Sequence, residues 1–441
     1  MHSRFDKRFL LLVFPLLRTA WPRLQYMTRE GIPFTLLILF ILSFVLFNRG
    51  PKVPYKVKTT FWSMMLWYAL FATSNSIFAL FSYGQFLEYH QYATIINTLG
   101  LFCVFYISLI NQKYKELQFL MIVVLCGVII AGFGAVSSGE ITSRQLLLNS
   151  RSRDDLASTF RAVDAILAGL GGYGFIYANA ACAGLTLLIA CSKGIRKSLK
   201  IIAWIAFLSM MFIVKKGGLG TAVAVMGLSV VLALMVLTGR SVRTLKVVGV
   251  LCCALFLLYA LVPQMLSPLS APLKSIGESM SPGAIQDRFV SAAESLKGDE
   301  SSYAYQRAQL FVQSMWLFIE NPIIGLGAYQ QGHAAGDLLG GHSVIMDMLA
   351  QQGLIGLILI VMFFVSAFKF FGAVSRIWCH PNWIALPTIY YLCILFAMFS
   401  NQLAKSISGL FLTIVFGYLS MLMQTNQAQQ NGLRQYERWK V

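Results

Sequence analysis

The amino-acid sequence predicts an all-α polytopic membrane protein, and three features carry that expectation. The chain has 441 residues, 57% of them hydrophobic and only 12% charged, too few charges to solvate a globular surface of that size. Apolar runs of the roughly 20 residues that a membrane-spanning helix needs recur along its length. The basic residues sit in short segments between those runs, which is a pattern of membrane orientation and anionic-lipid contact. The formal net charge of +18 therefore does not point to nucleic acid, whose binders gather charge on one face of a soluble module.

In chain order, hydropathy places about twelve spans, near 8–20, 32–48, 60–81, 92–110, 118–136, 168–191, 200–214, 218–238, 245–263, 346–368, 383–401 and 406–424. Phe9–Leu17 is short and is followed by Arg18, Arg23 and Arg29 instead of a small-residue cleavage site, so no cleavable signal is expected. With a cytoplasmic N-terminus, the inside segments collect 21 of the 35 Lys and Arg, which predicts both termini inside. The chain then divides into spans 1 to 9 over 1–263 with an outer segment near 137–167, a large outer loop over 264–345, and spans 10 to 12 with a cytoplasmic tail over 346–441. All eight cysteines fall within or beside apolar runs, so neither a disulfide nor a Cys-based metal site is expected. No internal repeat of the solenoid or inverted-repeat transporter kind is visible.

A connection as long as 264–345 without spanning hydrophobicity usually carries function. It begins with turn-rich Leu261–Pro272, is polar from Ser275 to Ser302, and shows helical periodicity through Tyr303–Ile319. Asn321–Gly327 (NPIIGLG) breaks that helix, and Gly340 and Gly341 break the chain again before His342.

Once the inside loops are assigned, the cations left on the outer side are the anomaly. They are Arg144, Arg151, Arg153 and Arg161 in the first outer segment, Lys215 and Lys216 in a tight turn, and Lys274, Arg288, Lys297 and Arg307 in the large loop. Diphosphate suits such a set, because Arg forks and Lys point charges both bind phosphate oxygens and stabilise charge on a departing phosphate. The alternative is that they neutralise lipid headgroups or pair with Asp154, Asp155, Asp164 and Glu294. Lys215 and Lys216 precede Gly217 and Gly218 between two apolar runs, where they either face something anionic or snorkel from a displaced span.

His342 opens an apolar helix at the membrane surface, with Ser343 able to cap and Asp347 about one turn on. A histidine can take a proton near neutral pH, as a general base for a sugar hydroxyl must, although one at a helix start is more often a cap or a headgroup contact. His333 lies in a loop without such surroundings. Metal chemistry finds little support, since the adjacent acidic pairs on the outer side are only Asp154–Asp155 and Asp299–Glu300. No Gly-rich loop ends in Gly-Lys-Ser/Thr, which disfavours nucleotide use. No cofactor is expected.

These residues resemble the O-antigen ligase and Wzy-type polymerase superfamily of bacterial membrane glycosyltransferases. Glu320–Gly327 is similar to that family's nPi.G.G segment, with Arg307 where the family places an arginine about one helix upstream. His342-Ser343, nine residues, then Gly353-Leu354-Ile355-Gly356 is similar to its histidine motif. Arg288 in Asp287-Arg288-Phe289 resembles a basic position at the start of the region. The resemblance implies a GT-C-like fold, an active site on the periplasmic side of the inner membrane and an undecaprenyl-diphosphate-linked glycan donor. It also implies a metal-free inverting transfer, arginines on the diphosphate and a histidine that activates the acceptor. The chain departs from the ligases in one place: Val214-Lys215-Lys216-Gly217 stands where many carry a Ser-Arg-Gly-like element, and lysine lacks the bidentate fork.

The expected reaction is therefore transfer of a lipid-diphosphate glycan to an acceptor hydroxyl, with His342 as base. Arg288 and Arg307, together with some of Lys215, Lys216, Arg151, Arg153 and Arg161, would hold the diphosphate. A polymerase would use another lipid-linked repeat as acceptor, under a possible chain-length regulator, and a ligase would use lipid A–core. A lipid-linked sugar flippase is the rival from another class, and the spans lack the mid-membrane carboxylates that ion-coupled transporters usually keep.

Overall fold

The computed structural model describes residues 5–27, 55–83, 103–137, 173–192, 195–238, 268–279, 303–326, 343–378 and 407–439, with a few isolated helical positions between them. Among the described residues there is no strand. After a 3-10 turn at Lys7–Leu12 come α1 (Val13–Ala20), α2 (Pro22–Met27), α3 (Tyr55–Tyr83), α4 (Tyr114–Ser137), α5 (Tyr173–Cys191) and α6 (Lys197–Gly217). Then follow α7 (Gly220–Leu237), α8 (Ser270–Glu278), α9 (Tyr303–Glu320), α10 (Val344–Trp378) and α11 (Ile407–Trp439).

Among the described residues five stretches are long and apolar enough to cross a membrane: Tyr114–Ser137, Gly174–Cys191, Lys197–Gly217, Gly220–Leu237 and Ile345–Phe370. They answer to the expected spans 118–136, 168–191, 200–214, 218–238 and 346–368. The expected spans 60–81 and 406–424 fall within α3 and the first half of α11. The stretch 8–20 is two short pieces instead of one span. Trp21, extended at φ −132°, ends α1 because the following Pro22 disfavours a helical residue before it. Spans 32–48, 245–263 and 383–401 lie wholly or largely outside the described residues, as does the first half of 92–110.

One group of helices packs through small residues. In it α4 meets α1, α6 and α11, while α5 meets α6, α7 and α11. A Cβ on Gly132 would overlap Ser209 of α6, one on Gly184 would overlap the Ser229 carbonyl of α7, and one on Gly417 would overlap Met121. Ser229 Oγ also accepts the Gly184 N–H at 2.9 Å and donates to the Ala181 carbonyl at 2.8 Å. Close approach of this kind suits a bilayer, where lipid tails are as apolar as leucine and association relies on packing and interhelical hydrogen bonds.

The second group is α3, α9 and α10. Helix α10 runs antiparallel to α3, since Ser366 Oγ lies 3.1 Å from Ser63 Oγ while Gln352 Oε1 accepts from Ser74 Oγ at 3.4 Å. The helical stretch 103–110 joins the two groups. Tyr106 stacks on Phe61 of α3 at 3.9 Å and tilts against Phe370 of α10, while neighbouring Phe105 meets Phe416 of α11.

These contacts assign helix ends. Ser420 Oγ reaches the Tyr114 carbonyl, and Ser192 at the end of α5 bonds Tyr418, so α4 begins and α5 finishes at one end of the bundle. The Phe105–Tyr106 bridge puts the start of α3 and the far part of α10 at that same end. Lys56, Lys58, Lys113, Lys115, Lys197, Lys200 and Lys369, all expected inside, gather there. Asp6 ties the N-terminal turn to it: its carboxylate accepts Arg8 Nε at 2.8 Å and lies 3.6 Å from Lys113 Nζ, while its N–H donates to Glu116 Oε1 at 2.9 Å. The opposite end holds the finish of α3, α4 and α6 and the start of α5 and α10.

Candidate functional site at the start of α10

Helix α9 stops where its sequence says it must, because Pro322 has no N–H to donate and restricts Asn321. The chain then makes the turn Asn321–Leu326, closed by the Gly325 N–H on the Asn321 carbonyl at 3.0 Å. Gly325 is left-handed at φ 67°. Twenty-eight residues on, α10 is interrupted at Gly353, whose φ 60° and ψ −153° lie outside the helical region and suit only glycine.

The two irregularities fit each other. Leu326 N–H donates to the Ala350 carbonyl at 2.8 Å, Leu354 N–H to the Pro322 carbonyl at 2.9 Å, and Ile355 N–H to the Ile323 carbonyl at 3.3 Å. The turn thus satisfies main-chain groups that the interruption in α10 sets free, as a buried or membrane-embedded backbone requires. Neither glycine tolerates a Cβ: one on Gly353 would strike the Ile323 carbonyl, and one on Gly325 the Gln351 main chain. Asn321–Leu326 of the NPIIGLG segment and the Gly-Leu-Ile-Gly segment, noticed separately in the sequence, are the two faces of one clasp.

Above the clasp stands the short first part of α10. Ser343 is fully buried and caps it, its Oγ accepting the Met346 N–H at 3.3 Å while its carbonyl accepts the Asp347 N–H at 2.8 Å. Asp347, in the first turn, is buried, and its Oδ1 accepts from Ser314 Oγ of α9 at 2.9 Å. Two pairings, Ser314 with Asp347 and Ile323 with Ile355, make α9 and this part of α10 parallel. Arg307 stands four residues before buried Phe311 and seven before Ser314, on the same helical stripe. That is about 10 Å beyond Ser314 along the axis, while Ser343 lies about 6 Å beyond Asp347. The Arg307 position and the start of α10 therefore share nearly one height.

Lys215 and Lys216 occupy the last turn of α6 instead of a free turn, with left-handed Gly218 closing it at φ 64°. Cations are favoured at a helix C-terminus by its dipole, which accounts for part of their placement. Lys215 is exposed and Lys216 half-buried, and Gly217 packs on Ile176 near the start of α5. The two lysines thus stand at the bundle end where α10 begins. His342, Arg288, Arg151, Arg153 and Arg161 lie outside the described residues, and of Arg307 only the helical position is described.

Sequence reasoning noticed Asp347 but missed Ser314, Gln352 and Ser74. The signal was there, since Ser314 interrupts the apolar stripe of Phe311, Met315 and Phe318, and Gln352 precedes a glycine in an apolar run. No protein-family model matches the chain and no curated protein matches it, so the resemblance rests on the motif residues themselves.

Proposed function

We propose that the chain is a bacterial inner-membrane glycosyltransferase that moves a glycan from an undecaprenyl-diphosphate donor to an acceptor hydroxyl, acting as an O-antigen or exopolysaccharide repeat-unit polymerase. The observation that carries this reading is the clasp. The two segments that resemble the superfamily's motifs interlock through main-chain bonds, and the capped helix that begins at Ser343, next to His342 in sequence, runs directly into one of them. Lys215, Lys216 and the Arg307 position belong to the same end of the bundle, opposite the lysine-rich end, which suits an outward-facing site for an anionic donor.

In this reading His342 takes the proton of the acceptor hydroxyl as its oxygen attacks the anomeric carbon. The bond from that carbon to the diphosphate oxygen breaks with inversion, and the lipid diphosphate leaves with its charge held by Arg and Lys. General-base assistance of this kind is worth on the order of 10²–10⁴-fold in rate. The decisive test is His342→Ala in purified protein given lipid-linked donor: a folded variant without transfer supports the base, and wild-type transfer removes it. The wild type must itself elongate the glycan, because movement across the bilayer without elongation would instead make it a flippase. Offering lipid-linked repeat or lipid A–core as acceptor distinguishes polymerase from ligase, and the Lys215-Lys216 element favours the former.

A further inference from the structure

We propose that Arg18 marks a docking face for a partner membrane protein, one whose spanning helix presents an Asp or Glu at mid-membrane depth. The depth of Arg18 is the first ground. The chain enters α1 from the lysine-rich end, where Asp6 meets Lys113 and Glu116, and α1 finishes against the middle of α4. A Cβ on Gly127 would lie 2.9 Å from the Ala20 Cβ and 3.0 Å from a Leu17 methyl. Gly127 stands about 20 Å along α4, a helix about 36 Å long. Arg18, between Leu17 and Ala20, is therefore near the middle of the bilayer.

The second ground is that nothing described in the chain neutralises it. Arg18 is half-buried, and its Nε is shut away from solvent with no hydrogen-bond partner. Among the described residues no carboxylate pairs with it: Glu116 lies about 16 Å from Gly127 along α4, and Asp6 is held by Arg8 at the same end. The one Asp or Glu within the expected spans is Asp347, at the outer edge of its span, where Ser314 holds it. A second copy of the chain thus brings no carboxylate to this depth. Headgroup phosphates are out of reach as well, since about 15 Å of hydrocarbon lies on either side of the mid-plane and the buried Nε keeps the side chain from stretching.

The third ground is the face on which Arg18 sits. Phe14, one turn earlier, is exposed, as are Leu10 and Leu11 before it, while Leu12, Leu16 and Ala20 on the other side are buried. The outer stripe is apolar up to Arg18, so a neighbouring helix can lie along it and meet a charge at its end. Arg23, exposed on α2 just past the Pro22 break, adds to the positive charge. Ionisable groups inside a membrane pair with one another, and a carboxylate on that neighbouring helix is the counter-charge this face fits.

The probe is a synthetic membrane-spanning helix of leucines with one central Asp, dye-labelled and mixed with labelled wild-type chain in phosphatidylcholine vesicles. Energy transfer should show the Asp helix binding about tenfold more tightly than an all-leucine helix. Equal binding of the two overturns the proposal without recourse to any variant. In Arg18→Leu the advantage of the Asp helix should vanish, and an advantage that persists overturns the assignment to Arg18. The isolated Arg18→Leu chain should keep or raise its thermal midpoint, because an uncompensated charge has been removed. A midpoint several degrees lower shows that Arg18 already has a partner within the chain, which also overturns the proposal. So does phosphatidylglycerol that displaces the Asp helix and stays on the purified wild type but not on Arg18→Leu, since the site is then one for a lipid.

Discussion

Where α4, α5, α6, α7 and α11 meet, glycine on one helix admits serine, methionine or backbone from the next. Where α3, α9 and α10 meet, buried hydroxyls, an amide and a carboxylate lie between the helices, and one helix is broken. The first seam is what a bilayer asks of any bundle. The second exceeds that requirement, since Asp347 and Gln352 are buried polar groups that apolar residues of similar size could replace at less cost to packing. The difference teaches that one group of helices serves as frame and the other carries an irregularity that packing alone does not require.

Substitutions can break or sharpen that contrast. The largest effect is expected for Gly353→Ala, which combines a backbone that only glycine adopts with overlap on the Ile323 carbonyl. A loss of about 3 kcal/mol should appear as a lower thermal midpoint in detergent, with transfer lost per folded molecule as well. Gly184→Ala overlaps the Ser229 carbonyl and should destabilise by about 1–3 kcal/mol while transfer per folded molecule stays at the wild-type level. If both variants lose activity in the same proportion as stability, the division into frame and site fails.

Ser314→Ala removes the hydroxyl on Asp347 and should weaken the fold by about 1–2 kcal/mol, with a further decline in kcat that the matched Ser229→Ala does not share. The smallest effect is expected at the lysine-rich end. The Arg8 guanidinium holds the Asp6 carboxyl down to about 2, below its ordinary 3.8. A depressed carboxyl stabilises the fold above its unfolded value and ceases to do so as pH falls from about 4 through about 2. Asp6→Asn should therefore lower stability by about 1 kcal/mol or less at neutral pH, because the guanidinium is partly exposed, and should flatten the acid side of a stability–pH curve.

Much of the frame was legible because spanning helices announce themselves by composition, as in the stretches Tyr114–Ser137 and Gly220–Leu237. The end of α9 was legible from Pro322, and the capped start of α10 from Ser343. Three things were not. The 8–20 stretch reads as one apolar run, but Pro22 and a 3-10 turn divide and shorten it. Hydropathy averages over a window and so passes straight through Gly353, where a single residue changes direction. The meeting of Ser314 with Asp347 and of Ser74 with Gln352 depends on helix register, and no local pattern encodes the register of segments 33 and 278 residues apart.

Because the clasp joins carbonyl to amide, its specificity resides in the shape of the main chain and barely in the side chains that decorate it. Ile323 and Ile324, 66% and 53% exposed, contribute main-chain carbonyls and little side-chain packing, while Gly325 and Gly353 admit no Cβ without overlap. Side chains around the clasp can therefore be exchanged widely, provided that those two glycines and Pro322 are carried along as the fixed points of the main-chain fit.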